Sequence, residues 1–378
     1  MFSDYIVIGA DLVPTKSNTD LFIKGDAENL VGEELKRVLT KATYRIFNLE
    51  VPLTDQEKPI LKQGPNLIAP TATIRGYEAL SVDLVTLANN HILDQGEKGL
   101  FSTIQTLDKT NINYVGAGKN LSEGQKPFIF TFAGRRIGVY ACAEHEFSIA
   151  NDNKPGANPF DPLWSLDHLE ELKRSTDYII VLYHGGKEHY RYPSPNLQKT
   201  CRRMMDKGAD LVICQHSHCI GCEEKYQGGT IVYGQGNFIF DDADNEFWNT
   251  SLLVTVDENF DISYIPLTKH GNAVRVSEKV AGEKILEEFR IRSAEIKKEG
   301  FIEKKYAEFA EDFYEYYLSA LMGERSFLFR VINIISGDRY KRICLKNTYN
   351  EKSRIRIENY FDCEAHRELL LQSLKSKR

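Results

Sequence analysis

The sequence predicts an α/β fold followed by a mostly helical extension, and three observations lead there. Short β-branched or aromatic runs alternate with helix-length amphipathic segments through the front of the chain. After about residue 270 that alternation gives way to longer helical periods rich in Glu and Lys. Charge follows the same division: residues 1–270 carry a net −10 and eight of the nine histidines, whereas residues 271–378 carry +4. An acidic, histidine-bearing front suits a cation-binding catalytic domain, and the basic rear implies a different task. Two regions are therefore expected, 1–270 and 271–378.

The elements follow in order. Tyr5–Gly9, Tyr44–Leu49, Leu84–Ala88, Arg136–Cys142, Tyr178–His184, Asp210–Gln215 and Thr230–Gly234 read as mostly buried strands. Between them, Ala27–Leu39, Thr73–Leu80, Lys98–Lys109, Leu166–Ser175 and Asn196–Lys207 carry helical spacing, which predicts substantial parallel pairing. Ser251–Val256 and Asp261–Pro266 flank a turn-like Asp257-Glu258-Asn259-Phe260 and predict an antiparallel hairpin at a sheet edge. Gly282–Met322 predicts one or two amphipathic helices, and a basic stretch, Arg339–Arg356, precedes a final helix around Tyr360–Leu374.

Composition excludes several classes. With 42% hydrophobic, 11% aromatic and 27% charged residues, the chain is that of a folded domain. Its start has no basic n-region and only a short apolar run before Gly9, so it reads as a first strand rather than a signal peptide. The later apolar stretch Phe327–Ile335 is interrupted by Arg330 and Asn333 and falls far short of the ~20 residues of a transmembrane helix. Seven cysteines, an odd number without a compact framework, fit reduced thiols in a cytoplasmic protein, and the pair Cys219 and Cys222 has no second pair to complete a zinc motif. The net charge of −6 and the lack of any nucleic-acid-binding motif argue against DNA or RNA as partner.

Chemistry-bearing residues collect at strand ends, where open α/β sheets bind their ligands. Asp11 follows the first strand, Glu50 the second, and Asn89, Asn90 and His91 the third; His184 ends another, and His216 and His218 follow Asp210–Gln215. Singly, each has an ordinary explanation as a turn residue, a cap or a solvated charge. For His216 and His218, a spacing of two on an extended segment points both rings to one side. Jointly, two carboxylates, an amide pair and four histidines at equivalent positions point to a metal site. Imidazole, carboxylate and amide oxygen form a borderline-hard donor set suited to one or two divalent ions, Mn, Fe or Zn. The set lacks a thiolate, which weighs against a structural zinc site. Gly116-Ala117-Gly118 lacks the third glycine and the lysine of a phosphate loop. Glu144, His145 and Glu146 follow a further strand, open to a rim role or to ordinary loop charge.

Six segments carry a family resemblance: Gly9-Ala10-Asp11, Asn48-Leu49-Glu50-Val51-Pro52-Leu53-Thr54, Ala88-Asn89-Asn90-His91-Ile92-Leu93-Asp94-Gln95-Gly96, Tyr183-His184-Gly185-Gly186-Lys187-Glu188, Gly208-Ala209-Asp210 leading into Gln215-His216-Ser217-His218, and Tyr233-Gly234-Gln235-Gly236-Asn237-Phe238-Ile239-Phe240-Asp241. In order and spacing the chain resembles the CapA family of capsule and poly-gamma-glutamate synthesis proteins, which share the calcineurin-like metallophosphoesterase fold. The resemblance implies a layered αββα sandwich and a metal-dependent, phosphoesterase-like hydrolase. It places Asp11, Glu50 and His218 on one metal, and Asn90, His184 and His216, with Glu50 as bridge, on the second. It makes His91 the general acid or transition-state stabiliser, oriented by Asp94. Asn89, Glu188, His189 and Asn237 would line the substrate side or support the ligands. Two departures stand out: Val13 replaces the histidine of the Asp-x-His pattern, and Glu50 stands where phosphoesterases use Asp. The implied substrate is an anionic cell-surface-polymer precursor, with other capsule-synthesis proteins as partners; the alternative is a non-catalytic assembly or binding factor of such a complex.

Overall fold

Every residue of β1 (Tyr5–Leu12) after Tyr5 is buried, because this strand is sandwiched on both faces. A computed structural model of the chain describes residues 4–241, 245–323 and 327–376, without the side chain of Leu328. Strands β2 (Tyr44–Asn48), β3 (Leu84–Thr86) and β4 (Asn113–Val115) follow β1 in parallel order. After the two-residue β5 (Ala117–Gly118), the chain forms β6 (Phe128–Phe132) and β7 (Arg135–Ala143), and β8 (Gly156–Ala157) returns to pair with β5. With β9 (Tyr178–His184), β10 (Leu211–Gln215), β11 (Glu223–Tyr226) and β12 (Gly229–Tyr233), a second sheet takes the order β11-β12-β10-β9-β7-β6. Strand β13 (Asn237–Ile239) crosses back to pair parallel with β1. The antiparallel β14 (Thr250–Asp257), β15 (Ile262–His270) and β16 (Ala273–Val276) complete the first sheet as β16-β15-β14-β1-β2-β3-β4. The expected edge hairpin is thus β14–β15, with one further strand outside it.

Helices α1 (Thr19–Lys24), α2 (Ala27–Lys41), α3 (Ile74–Ala79) and α4 (Gly96–Leu107) belong to the first sheet's half. The short α5 (Leu121–Gly124) and then α6 (Ser165–Lys173) and α7 (Pro195–Asp206) follow. Asp26 caps α2, and Ser194 with Pro195 opens α7, as helix starts require. Side-chain alternation builds three cores. Ile6, Ile8, Ile46 and Leu84 meet Val139, Ile180, Leu182 and Ile213 between the sheets. Val7 and Phe47 face outward to Leu30, Leu35 and Leu100 of the helices. Val181 and Val212 do the same with Leu169 and Met204 on the other side. The layers are therefore helix, sheet, sheet, helix, as expected.

Gly116 sits at φ 86°, and a Cβ there would lie 2.6 Å from the Cβ of Ala88 and 2.8 Å from that of Ala141. The Gly116-Ala117-Gly118 segment is thus a tight junction between strands rather than a phosphate cradle.

The change of texture at residue 270 is not the edge of the compact unit, which runs to Glu303; the second unit is 304–378. Helix α8 (Lys279–Glu295) stays with the first unit because Phe289 packs with Ile220 and Leu252. Its period resembles that of the helices beyond it, so periodicity alone does not mark the border. Helix α9 (Phe301–Leu321) crosses the division; α10 (Phe327–Ile335), α11 (Arg339–Thr348), α12 (Glu351–Asp362) and α13 (Glu364–Lys375) continue the second unit. The expected single helix around Tyr360–Leu374 is instead the end of α12 and all of α13, broken at an extended Cys363. Among the described residues no helix is long and apolar enough to cross a membrane.

Candidate metal centre

Asp11, Glu50, His184, His216 and His218 converge from the ends of β1, β2, β9 and β10, each at most 8% exposed. Asp11 lies within β1, where the register against β2 slips between Ile8 and Asp11, and that against β13 between Asp11 and Leu12. Such an irregularity re-aims a side chain out of the pleat. Ligand atoms of Asp11, Glu50 and His184 lie within 4.8 Å of one another, and so do those of Glu50, His216 and His218. Glu50 is common to both groups, as a bridging carboxylate would be. Their membership differs from the implied division, placing His184 beside Asp11 and pairing His216 with His218. Contacts also join the groups: His184 Nε2 is 3.3 Å from Glu50 Oε1, 3.1 Å from His216 Nδ1 and 3.0 Å from Asn90 Oδ1, and His218 Nδ1 is 3.3 Å from Asp11 Oδ2. No cysteine enters either group, so the Cys219–Cys222 pair is, among the described residues, a pair of buried thiols.

The two histidines after β10 converge by a different route from the one spacing implies. The strand ends at Gln215, and His216 (φ 91°) and His218 (φ 53°) both adopt left-handed backbone. A non-glycine residue held there stores roughly 1–3 kcal/mol of strain, which the surrounding fold must offset.

The electrostatics are those of a cation site. Both oxygens of Glu50 are buried, and neither accepts a hydrogen bond. Burial, reinforced by the charge of Asp11, pushes the Glu50 carboxyl well above the usual range. Burial also pulls His184 down to about 4 and, with His184 and His218 nearby, holds His216 well below its ordinary value. Both rings are therefore neutral, as ligands must be. At His218 burial works the same way but is outweighed by the Asp11 hydrogen bond and the Glu50 charge, which raise it to about 9. A buried carboxylate without donors is costly, and a divalent ion answers that cost with donors of matching hardness. The residues present fit the group.

Around these ligands the side chains are tied to one another. Asn48 donates from Nδ2 to Asp11 Oδ1 at 2.7 Å and lies 3.3 Å from His184 Nδ1. Asn89, expected on the substrate side, is fully buried and consumed internally: Nδ2 donates to Asn48 Oδ1 and the Leu49 carbonyl, and Oδ1 accepts from the His91 amide. Asn237 Oδ1 lies 2.8 Å from His218 Nδ1 and orients that ring. His91 Nδ1 is 2.6 Å from Asp94 Oδ2, while its Nε2 faces Glu50 Oε1 at 4.0 Å. Glu188 is partly buried and within electrostatic reach of His216 and His218, and Glu146 Oε1 stands 3.8 Å from His216 Nε2. His189 also has left-handed backbone; its Nε2 receives Trp248 Nε1 at 3.0 Å and Asn245 Nδ2 at 2.9 Å, and its ring stacks on Phe247. It anchors an aromatic wall, in which Trp248 also packs on His218 with centroids 4.7 Å apart. Val13 is buried in the core and offers no donor.

Sequence reasoning did not single out Asn48, Lys62 or Trp248. Asn48 lies in the family-like segment Asn48–Thr54, next to Glu50 but one; nothing local marks the other two.

A family model described as "Bacterial capsule synthesis protein PGA_cap" matches residues 9–242. The chain is 30% identical over 212 residues to the capsule biosynthesis protein CapA of Bacillus anthracis, covering 54% of this chain and 52% of that protein. It is 29% identical over 211 residues to the PGA biosynthesis protein CapA of Bacillus subtilis, covering 54% and 55%. A probable polyglutamine synthesis accessory protein of Mycobacterium tuberculosis is 27% identical over 230 residues, covering 56% and 59%. The chain thus spans about half the length of the curated relatives it matches. Among solved structures, a Mycoplasma pneumoniae phosphatase aligns with TM-score 0.42 at 17% identity, over 71% of this chain and 94% of that one. A 5'-nucleotidase precursor from Thermus thermophilus aligns with TM-score 0.40 at 15% identity, over 76% and 58%.

Proposed function

This chain belongs to the family of bacterial capsule synthesis proteins, and on that premise we propose that it is a metal-dependent, phosphoesterase-like hydrolase. Its substrate would be an anionic polymer or precursor in capsule, exopolysaccharide or polyglutamate synthesis, in a cytoplasmic setting with other synthesis proteins as partners. The observation that carries the reading is Glu50, buried among three histidines and Asp11 with no donor satisfying either of its oxygens.

Asp11, Glu50, Asn90, His184, His216 and His218 would hold one or two divalent ions. When bound, the ion activates water and polarises the phosphoryl group. Asn48 and Asn237 keep the Asp11 carboxylate and the His218 ring in place. Asp94 accepts from His91 Nδ1, which leaves Nε2 directed at the site, where, when the ring carries its second proton, that proton can pass to a departing alkoxide. Glu146 beside His216, with Glu188 in electrostatic reach of it, disfavours a further negative charge on that flank.

Chelated protein regains hydrolysis of a generic phosphodiester or monoester on addition of Mn²⁺, and His184→Ala or His216→Ala abolishes it. Full turnover by both variants would overturn the reading. A second reading, a binding or assembly factor without turnover, is favoured by Val13, which leaves the Asp11 side with few donors. Metal analysis of protein purified without chelator separates the two, since the factor would carry no ion.

A further inference from the structure

We infer that Lys62 is a positioning residue for the His91–Asp94 pair. Its buried ammonium holds the Asp94 carboxylate, and through it the His91 ring, in line with the candidate metal centre. The role of His91 rests on the hydrolase reading above; the contacts of Lys62 stand apart from it.

Lys62 comes from the irregular segment between β2 and α3. Its neighbour Leu61 is 89% exposed, whereas the Lys62 side chain is 3% exposed. The ammonium pairs with Asp94 Oδ1 and lies 3.2 Å from His91 Nδ1. The other oxygen of Asp94 receives His91 Nδ1 and the Leu67 amide, both at 2.6 Å. The Asp94 carbonyl accepts the Ile60 amide at 3.0 Å. The side chain of Gln95 accepts the Lys58 amide and donates to the Leu67 carbonyl. The strap from residue 58 to 67 is therefore fastened on two adjacent residues, and Lys62 is the cation it inserts.

The physical consequence follows from the arrangement of donors. Asp94 is fully buried, and a lone carboxylate or a lone ammonium in that place would be strongly destabilising. Paired, they divide the labour of the carboxylate: one oxygen is neutralised by Lys62, and the other accepts the Nδ1 proton of His91. That bond keeps Nδ1–H donated inward, both in the neutral ring and in the doubly protonated ring that acts as acid, and leaves Nε2 as the atom facing Glu50. Without Lys62, Asp94 would carry an unpaired buried oxygen free to compete for the ring, and the strap would lose its only inserted side-chain cation among the described residues. Lys62 is too deeply buried to touch substrate, so it acts through Asp94 and His91.

The test uses the full chain with Lys62→Met and Lys62→Arg. Three readouts are compared with wild type: Mn²⁺-dependent hydrolysis of an alkyl and a p-nitrophenyl phosphodiester, the Mn²⁺-induced rise in Tm, and limited proteolysis between residues 58 and 67. Nitrophenolate departs without a proton, whereas an alkoxide needs one. Lys62→Met is expected to lower kcat on the alkyl ester by about tenfold or more beyond any loss on the nitrophenyl ester, less than the roughly 10²–10⁴-fold of a general acid because His91 itself remains. It should also speed cleavage of the strap and leave the Mn²⁺-induced rise intact, and Lys62→Arg should restore most of each loss. Equal losses on both esters, or wild-type behaviour of Lys62→Met, would overturn the inference. If wild type turns over neither ester, the hydrolase reading fails by itself. Unchanged proteolysis in Lys62→Met then overturns the Lys62 assignment too, whereas faster cleavage retains Lys62 as the residue that fastens Asp94.

Discussion

Glu50 Oε1 lies 3.3 Å from His184 Nε2, yet neither oxygen of that buried carboxylate accepts a hydrogen bond. An acid so placed is tolerated in two ways: protonated, or facing a cation. The first prediction separates them. Glu50→Gln should raise the Tm of chelated protein near pH 7, because it replaces, without changing shape, a carboxyl that the fold must either bury charged or protonate against its ordinary range. It should also abolish the stabilisation that Mn²⁺ gives wild type, which amounts to about 2.7 kcal/mol at a hundred times Kd. Thermal melts with chelator and with Mn²⁺ measure both effects.

The pH dependence of metal-free stability has a sign set by His218. Its pKa is raised from 6.5 to about 9, so the folded state binds its proton more tightly than the unfolded chain does. The resulting stabilisation is fully present below about pH 6.5 and is lost as pH rises through about 9. The slope from this group is at most about 1.4 kcal/mol per pH unit. Urea midpoints of chelated wild type should fall across that window, and those of His218→Gln should fall less.

Asn48 orients Asp11 without being a ligand itself. Asn48→Ala should weaken Mn²⁺ binding by about 10–100-fold, as loss of a supporting hydrogen bond does at metal sites. Titration calorimetry on chelated protein reads the change directly, and an unaltered affinity would remove Asn48 from the site.

Gly116→Ala tests the junction between the sheets. The added methyl would meet the Cβ atoms of Ala88 and Ala141 at 2.6 and 2.8 Å, at a φ that disfavours any side chain. Overpacking of this kind costs about 1–3 kcal/mol, read as a lowered urea midpoint. Since Gly116 touches no ligand, the Mn²⁺-induced rise in Tm should persist.

Much of the site is legible because strand ends are local signals. Asp11, Glu50, His184, His216 and His218 each follow a buried run, and such runs show in any short window. The rim was less legible. Asn89 reads as a substrate-side residue from the family-like Asn-Asn-His segment, and only its partners Asn48 and the Leu49 carbonyl show that it is spent inside. His189 likewise needs Trp248, 59 positions away, to reveal that its Nε2 is occupied.

The sequence by itself determined the alternation of strands and helices, the chemical types at the strand ends and the hairpin that follows them, since each depends on burial period and neighbouring residues. Only the tertiary structure decided which groups share Glu50, that the rings of His216 and His218 converge through left-handed backbone, that Lys62 closes on Asp94, and that α8 belongs with the first unit. Those are contacts between segments far apart in the chain, chosen by how the layers pack, and no local pattern encodes a distance between two surfaces that meet only after folding.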